Sequence, residues 1–249
     1  MYQTALQFSE KMPDARFLMS DEPEMESSLH YAQLLLLVTC LEWFWRDRKD
    51  YFIGANLTIY FSRQQLKNRD FRGPDFFLVN GVSNHPRPSW VVWEEDGQYP
   101  NLIIELLSDS TENVDRTIKK QLYQDRFRTP EYFWFSPESL EFMGYRLIGH
   151  QYEEIPLTLT NQRWSEELQL YLGIEQGKLR YFTPNQELVP TPQEAALQEI
   201  AIAEIAQQQA QIAQQQAQIA QQEAQQEKLR AETLADYLRS LGVDPDQIQ

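Results

Sequence analysis

A single cysteine, Cys40, has no partner for an intramolecular disulfide, so nothing in this chain of 249 residues asks for an oxidising compartment. Long apolar runs are missing too. The most apolar stretch, Leu34 to Cys40, is far shorter than the roughly 20 residues needed to span a bilayer, and no membrane helix is expected. The opening MYQTALQFSEKMPDARF has no basic segment followed by an apolar one, so no secretory signal is expected and the cytoplasm is the expected compartment. Positive charge is scarce. Against 37 Asp and Glu stand 22 Lys and Arg, giving a net charge of −15 and a pI near 4.6. That balance opposes non-specific binding to a polyanion, because affinity for nucleic acid comes largely from Lys and Arg displacing counterions. Location matters more than the total, however. Residues 191–249 hold nine acids and three bases, a charge of −6, which leaves −9 on the rest.

Aromatic residues make up 12% of the chain, ample material for one core. Three regions are expected: a polar lead-in over 1–24, one globular domain over 25–191, and a helix over 192–249. Residues 26–48 place Leu34, Leu37, Val38, Leu41 and Trp45 at helical spacing. Strands are expected over 56–61 (NLTIYF), 75–79 (DFFLV), 89–93 (SWVVW), 102–107 (LIIELL) and 131–136 (EYFWFS), then over 140–147 and 151–155 as a meander. From Ile205, Ile212 and Ile219 run IAQQQAQ, IAQQQAQ and IAQQEAQ, a seven-residue repeat of helix formers. Its second seam position is Gln or Glu, which makes a weak coiled coil.

Chemistry is expected around 73–123. Asp75 opens one strand, and Glu105 interrupts the most buried-looking one; an ionised carboxylate there costs several kcal/mol unless paired or protonated. Its bland alternative is a place on the solvated face of an edge strand. SDST (108–111) supplies helix caps ahead of a helix to about Arg128. At about 100° per residue Asp115, Lys119 and Tyr123 drift by only about 80° and line one face, with Ile118 and Leu122 beside them to dock the helix. A surface pair between Asp115 and Lys119 is the simpler alternative. Two carboxylates on neighbouring strands with an ammonium beside them suit a hydrolase that binds a divalent cation and stabilises phosphoryl charge. Glu26 and His30, spaced i, i+4, are accessory candidates, or else a capping pair.

The ordered set Pro74-Asp75, Glu105-x-x-Ser108, Asp115-x-x-x-Lys119-x-x-x-Tyr123 and Pro130-Glu131-Tyr132 resembles the Uma-two family of bacterial "putative restriction endonucleases", within the PD-(D/E)xK nuclease superfamily. The ending LRAETLADYLRSLGVDPD is similar to that family's ending as well. The resemblance implies an α/β, restriction-endonuclease-like core: a mixed central sheet flanked by helices, here followed by a long C-terminal helix. It also implies DNA as substrate, Mg2+ or Mn2+ held by Asp75 and Glu105, and a lysine at the attacking water. In the superfamily pattern that lysine stands two residues after the second acid, where this chain has Leu107; Lys119 is the expected substitute, and Lys120 the weaker candidate. Two readings follow. One is a metal-dependent endonuclease, with any homodimer formed mainly through the globular domain; the other is an inactive nuclease-fold interaction module acting through its C-terminal helix.

Overall fold

The structure is a computed structural model and describes residues 18–22, 25, 27–62, 73–108 and 115–242. It falls into two compact units, Met1–Pro192 and Gln193–Gln249. The first unit begins its regular structure with helix α1 (Ser28–Phe44), capped by Ser27, whose hydroxyl accepts the His30 N–H at 3.3 Å. Leu34, Leu37, Cys40 and Leu41 share the buried face of α1 at helical spacing.

The strands are β1 (Tyr51–Ala55), β2 (Ile59–Tyr60), β3 (Phe76–Asn80), β4 (Trp90–Val91), β5 (Leu102–Leu106), β6 (Glu131–Phe135), β7 (Phe142–Ile148), β8 (Gln151–Glu154), β9 (Gln162–Ser165), β10 (Leu170–Glu175) and β11 (Lys178–Phe182). Between β5 and β6 lies a helical segment, α2 (residues 115–127). Six strands form the main sheet in the order β1-β3-β5-β6-β7-β8. Only β5 and β6 run parallel in it, joined by the crossover that contains α2. Strands β9, β10 and β11 form a second, antiparallel sheet. The expected class holds: α/β, with a mixed central sheet and a long C-terminal helix.

Period-two alternation divides the main sheet into two apolar layers. Leu102, Ile104 and Leu106 of β5 join Phe76, Leu78, Phe133 and Phe135 in a layer with Leu34, Leu37 and Leu41 of α1 and Leu172, Leu179 and Tyr181 of the small sheet. Ile103 and Leu107 face the other way, with Phe77, Val79, Tyr132 and Trp134, against Tyr123 and Phe127 of α2. Every residue of β5 is therefore buried, and it is a central strand rather than the solvated edge that was the alternative for Glu105. Gln33 fastens α1 to the small sheet: its side chain bonds both the Leu179 carbonyl (3.0 Å) and the Leu179 N–H (3.1 Å).

Three local expectations need correction. Residues 56–61 do not form one strand: Asn56 adopts φ 45°, which ends β1 and interrupts the extended run, so only Ile59 and Tyr60 pair, parallel to β4. The strand expected over 89–93 pairs only at Trp90 and Val91, and one edge of the main sheet is β1, at residues where no strand was expected, where a Cβ on Gly54 would stand 2.1 Å from the Phe77 ring. Finally, Ile118 does not dock α2, being 67% exposed. Residues Asp115–Lys119 and Tyr123–Phe127 wind as π-helix around a short α-turn, Lys120–Leu122, and the wider turn brings Tyr123 and Phe127 onto the sheet.

The second unit is described by helix α3 (Pro192–Ser240), 49 residues with no buried side chain. Ile205, Ile212 and Ile219 of the repeat are each more than half exposed. Among the described residues no helix is long and apolar enough to cross a membrane.

Candidate functional site

Asp75 stands one residue before β3 and Glu105 lies inside β5. The antiparallel register pairs Phe76 with Ile104, so one step further out it sets Asp75 opposite Glu105, on the face covered by α2. There the side chains replace the ladder. The Glu105 Oε2 accepts the Asp75 N–H at 3.2 Å, and the Asp75 Oδ2 accepts the Leu106 N–H at 2.7 Å. Each acid is thus hydrogen-bonded to the other's strand.

Glu105 is fully buried, a position a carboxylate occupies only with compensating donors. α2 supplies two of them to Oε1: the Tyr123 hydroxyl at 2.7 Å and the Lys119 Nζ at 3.1 Å. Lys119 has 15% of its side chain exposed, so it bridges the buried acid and the surface. Lys120 takes another direction. Its Nζ sits 3.3 Å from the Tyr145 ring centroid, and burial lowers its pKa despite the opposing charge of Glu154. At the start of α2 the Arg116 guanidinium stacks on Trp134 (4.2 Å) and forks onto Glu141 (3.0 and 2.5 Å), which holds the Glu141 carboxyl below its usual range.

Of the residues singled out from sequence, Asp75, Glu105, Lys119 and Tyr123 come together. Among its hydrogen bonds, His30 does not meet either acid. Its Nε2 donates to the Leu107 carbonyl at 3.0 Å, and in the neutral ring Nδ1 accepts from the Ser27 hydroxyl at 2.8 Å, so the imidazole joins α1 to the end of β5. Glu26 and the Asp115 side chain lie outside the described residues, as do 109–111 of the expected capping run.

Sequence reasoning missed how Asp75 is approached. A Cβ on Gly73 would meet the Leu57 carbonyl oxygen at 2.2 Å, so the chain passes Leu57 at a separation only glycine permits. Glu22 then accepts the Gly73 N–H and, at 2.7 Å, the Thr58 hydroxyl. The Gly-Pro-Asp run carried the first signal; nothing in the polar stretch around Glu22 carried the second. Glu131 was quoted within a motif without a role. It is buried and accepts from Arg146 (2.8 and 3.1 Å), the Ser165 hydroxyl and the Glu166 N–H (2.9 Å), which pins β6 to β7 and to the small sheet.

A family model described as "Uma2: Putative restriction endonuclease" matches residues 22–183. The chain belongs to the Uma2 family. Both acids, both α2 donors to Glu105 and the Glu22 anchor fall within the matched Uma2 span. Among solved structures, this Uma2 chain is similar to the crystal structure of a "putative nuclease belonging to DUF820" from Anabaena variabilis ATCC 29413. The likeness has a TM-score of 0.40 and 15% identity over 63% of this chain and 88% of that one. No curated protein matches.

Proposed function

We propose that this Uma2 chain is a metal-dependent DNA endonuclease, hydrolysing phosphodiester bonds at the Asp75, Glu105 and Lys119 site. The observation that carries this is the fully buried Glu105, which accepts the Asp75 N–H on one oxygen and is ion-paired with Lys119 on the other. A carboxylate placed in a central strand at such cost, opposite a second acid, is poorly explained by packing alone.

The donor set fits a hard divalent cation. Among the described residues no group of three or more His, Cys, Asp and Glu converges, but Mg2+ commonly takes one or two carboxylates and keeps several waters. Asp75 and Glu105 would hold Mg2+, with Mn2+ as a substitute. A divalent cation bound there supplies Lewis acidity toward a phosphoryl oxygen and the attacking water. The chain's own residues do the rest. The two cross-strand bonds hold the acids in a fixed relation, and Lys119 brings a positive charge from a packed helix to the oxygens that gain charge in the displacement. Lys120, committed to the Tyr145 ring, takes no part.

The test is cleavage of supercoiled plasmid and of single-stranded DNA by the wild type, Asp75→Asn, Lys119→Ala and Lys120→Ala, with Mg2+ or with EDTA. Cleavage should require Mg2+, fall by about 100-fold or more in the first two variants, and persist in Lys120→Ala. Cleavage in EDTA, or a loss confined to Lys120→Ala, overturns the reading. The alternative, an inactive nuclease fold working through α3, draws on the exposed Ile205, Ile212 and Ile219 and on the net charge of −15. It predicts no cleavage under any of these conditions.

A further inference from the structure

We propose that Tyr123 is a positioning residue of this site: its phenol fixes the rotation of the Glu105 carboxylate and thereby sets the affinity for the divalent cation. The inference rests on the metal-dependent reading above and assigns a role that the two acids and the lysine do not cover.

The terminal torsion of a glutamate is broad and roughly two-fold, so packing around the stem leaves the carboxylate plane undetermined. At Glu105 that plane is set by the Asp75 N–H at 3.2 Å on Oε2 and by Lys119 and Tyr123 on Oε1. These donors differ in kind. Lys119 reaches Oε1 on a four-carbon stem with rotatable donors, and its ammonium is the group assigned to the reacting oxygens. The Asp75 bond is the longest of the three. Tyr123 is rigid: its side chain is fully buried, and its ring packs on Phe127 and Tyr132, each with centroids 5.5 Å away. Its hydroxyl makes the shortest of these three bonds, 2.7 Å. The α-turn Lys120–Leu122 between them puts residues 119 and 123, spaced i, i+4, on one face, where both reach one oxygen. When Lys119 turns toward a substrate, Tyr123 still holds Oε1 in place. Donors behind metal-ligating carboxylates typically contribute 10- to 100-fold in metal affinity.

The experiment is calorimetric titration of the full chain with Mn2+, comparing wild type, Tyr123→Phe and Tyr152→Phe. Tyr152→Phe is the matched control, since Tyr152 donates to the Thr129 carbonyl at 2.9 Å and its ring lies 5.9 Å from that of Tyr132. It removes a comparable bond in the same aromatic cluster without touching Glu105. Tyr123→Phe should weaken Mn2+ binding by about 10- to 100-fold while Tyr152→Phe leaves it unchanged. Equal affinity of wild type and Tyr123→Phe, or equal weakening in both variants, overturns the positioning role and leaves the metal-dependent reading standing. A wild type that binds no Mn2+ overturns both. Should Tyr123→Phe fail to fold, the unmutated chain with 13C at the tyrosine ring carbon bearing the hydroxyl is titrated with Mg2+. One buried resonance among the 12 tyrosines should shift with the binding isotherm, and none shifting while Mg2+ binds overturns the proposal.

Discussion

Replacing Lys119 by Met, in EDTA, isolates what the ammonium contributes before any metal or substrate is added. The pair is 3.1 Å long, with Glu105 fully buried and Lys119 mostly so. At an effective dielectric of about 20, two unit charges at that separation attract by about 5 kcal/mol. Methionine fills most of the lysine stem and relieves the partial desolvation of the ammonium, which offsets some of this. The Glu105 charge, however, then remains buried with one charged donor fewer. Removing one partner of a buried pair costs about 3 to 5 kcal/mol. For a unit of this size that corresponds to a fall in Tm of roughly 10 °C, against a total stability of about 5 to 15 kcal/mol. Guanidinium unfolding of wild type, Lys119→Met, Glu105→Gln and the double variant closes a thermodynamic cycle. Glu105→Gln should recover about 2 kcal/mol or more when added to Lys119→Met, because it removes the stranded charge. A Lys119→Met cost below about 1 kcal/mol, the range of a surface pair, or simple additivity in the cycle, refutes the reasoning.

Gly73→Ala places a methyl 2.2 Å from the Leu57 carbonyl, so we expect a loss of about 2 kcal/mol or more and weaker Mn2+ binding, read by unfolding and by titration. Glu167, bonded by Asn80 at 3.1 Å, has its pKa raised, first by burial and further by the Glu131 charge, so its ionised form is disfavoured in the fold and stability is lost as pH rises through the folded pKa. Glu167→Gln keeps an acceptor for Asn80 and should raise Tm at pH 7, with the gain shrinking as pH falls to the ordinary Glu range near about 4.3; a gain independent of pH contradicts this. A chain ending at Pro192 should keep the Tm and the Mn2+ affinity of the full chain, and sedimentation should show the same oligomeric state with and without α3; a dimer lost on truncation would show that the helix joins the copies.

Much of the main sheet was legible because its strands are strongly patterned. LIIELL and EYFWF are continuous apolar runs of the kind that form strands covered on both faces, and both became central strands. Glu105 stood out because it breaks such a run with a group that is costly to bury, and Asp75 because it opens the run DFFLV directly after Gly73-Pro74. The missed strands are the three of the small sheet and β1, whose run YFIGA holds Gly54, and what makes glycine necessary there is a ring from Phe77, on another strand. No local pattern carries that. The error at Ile118 has a different origin. A uniform angle per residue was assumed for α2, whereas the segment winds more widely at both ends, and a docking face shifts by a residue when that happens. Lys119 and Tyr123 nonetheless share a face, because the turn between them, Lys120–Leu122, is α-helical. Glu131 shows the limit of motif reading: the string Pro-Glu-Tyr marks a position without saying that its carboxylate gathers donors from β7 and from the turn after β9.

The exchange of backbone N–H bonds between Asp75 and Glu105 has a bearing on how such a chain can drift under mutation. Each acid terminates the strand pairing of the other, so losing either one unties the end of β3 from β5 whether or not any reaction is catalysed. Selection for a folded protein therefore retains an acceptor oxygen at both positions even after selection for cleavage has lapsed. Lys119 enters no strand pairing: it meets Glu105 through a side-chain ion pair, and its loss is offset when Glu105 becomes Gln, which keeps an oxygen for the Asp75 N–H. Among descendants of this fold that no longer cut, Lys119 and the charge of Glu105 should go together, while a hydrogen-bonding oxygen persists at both strand ends, so the surviving acceptors record the ancestry of the site and the ion pair records its use.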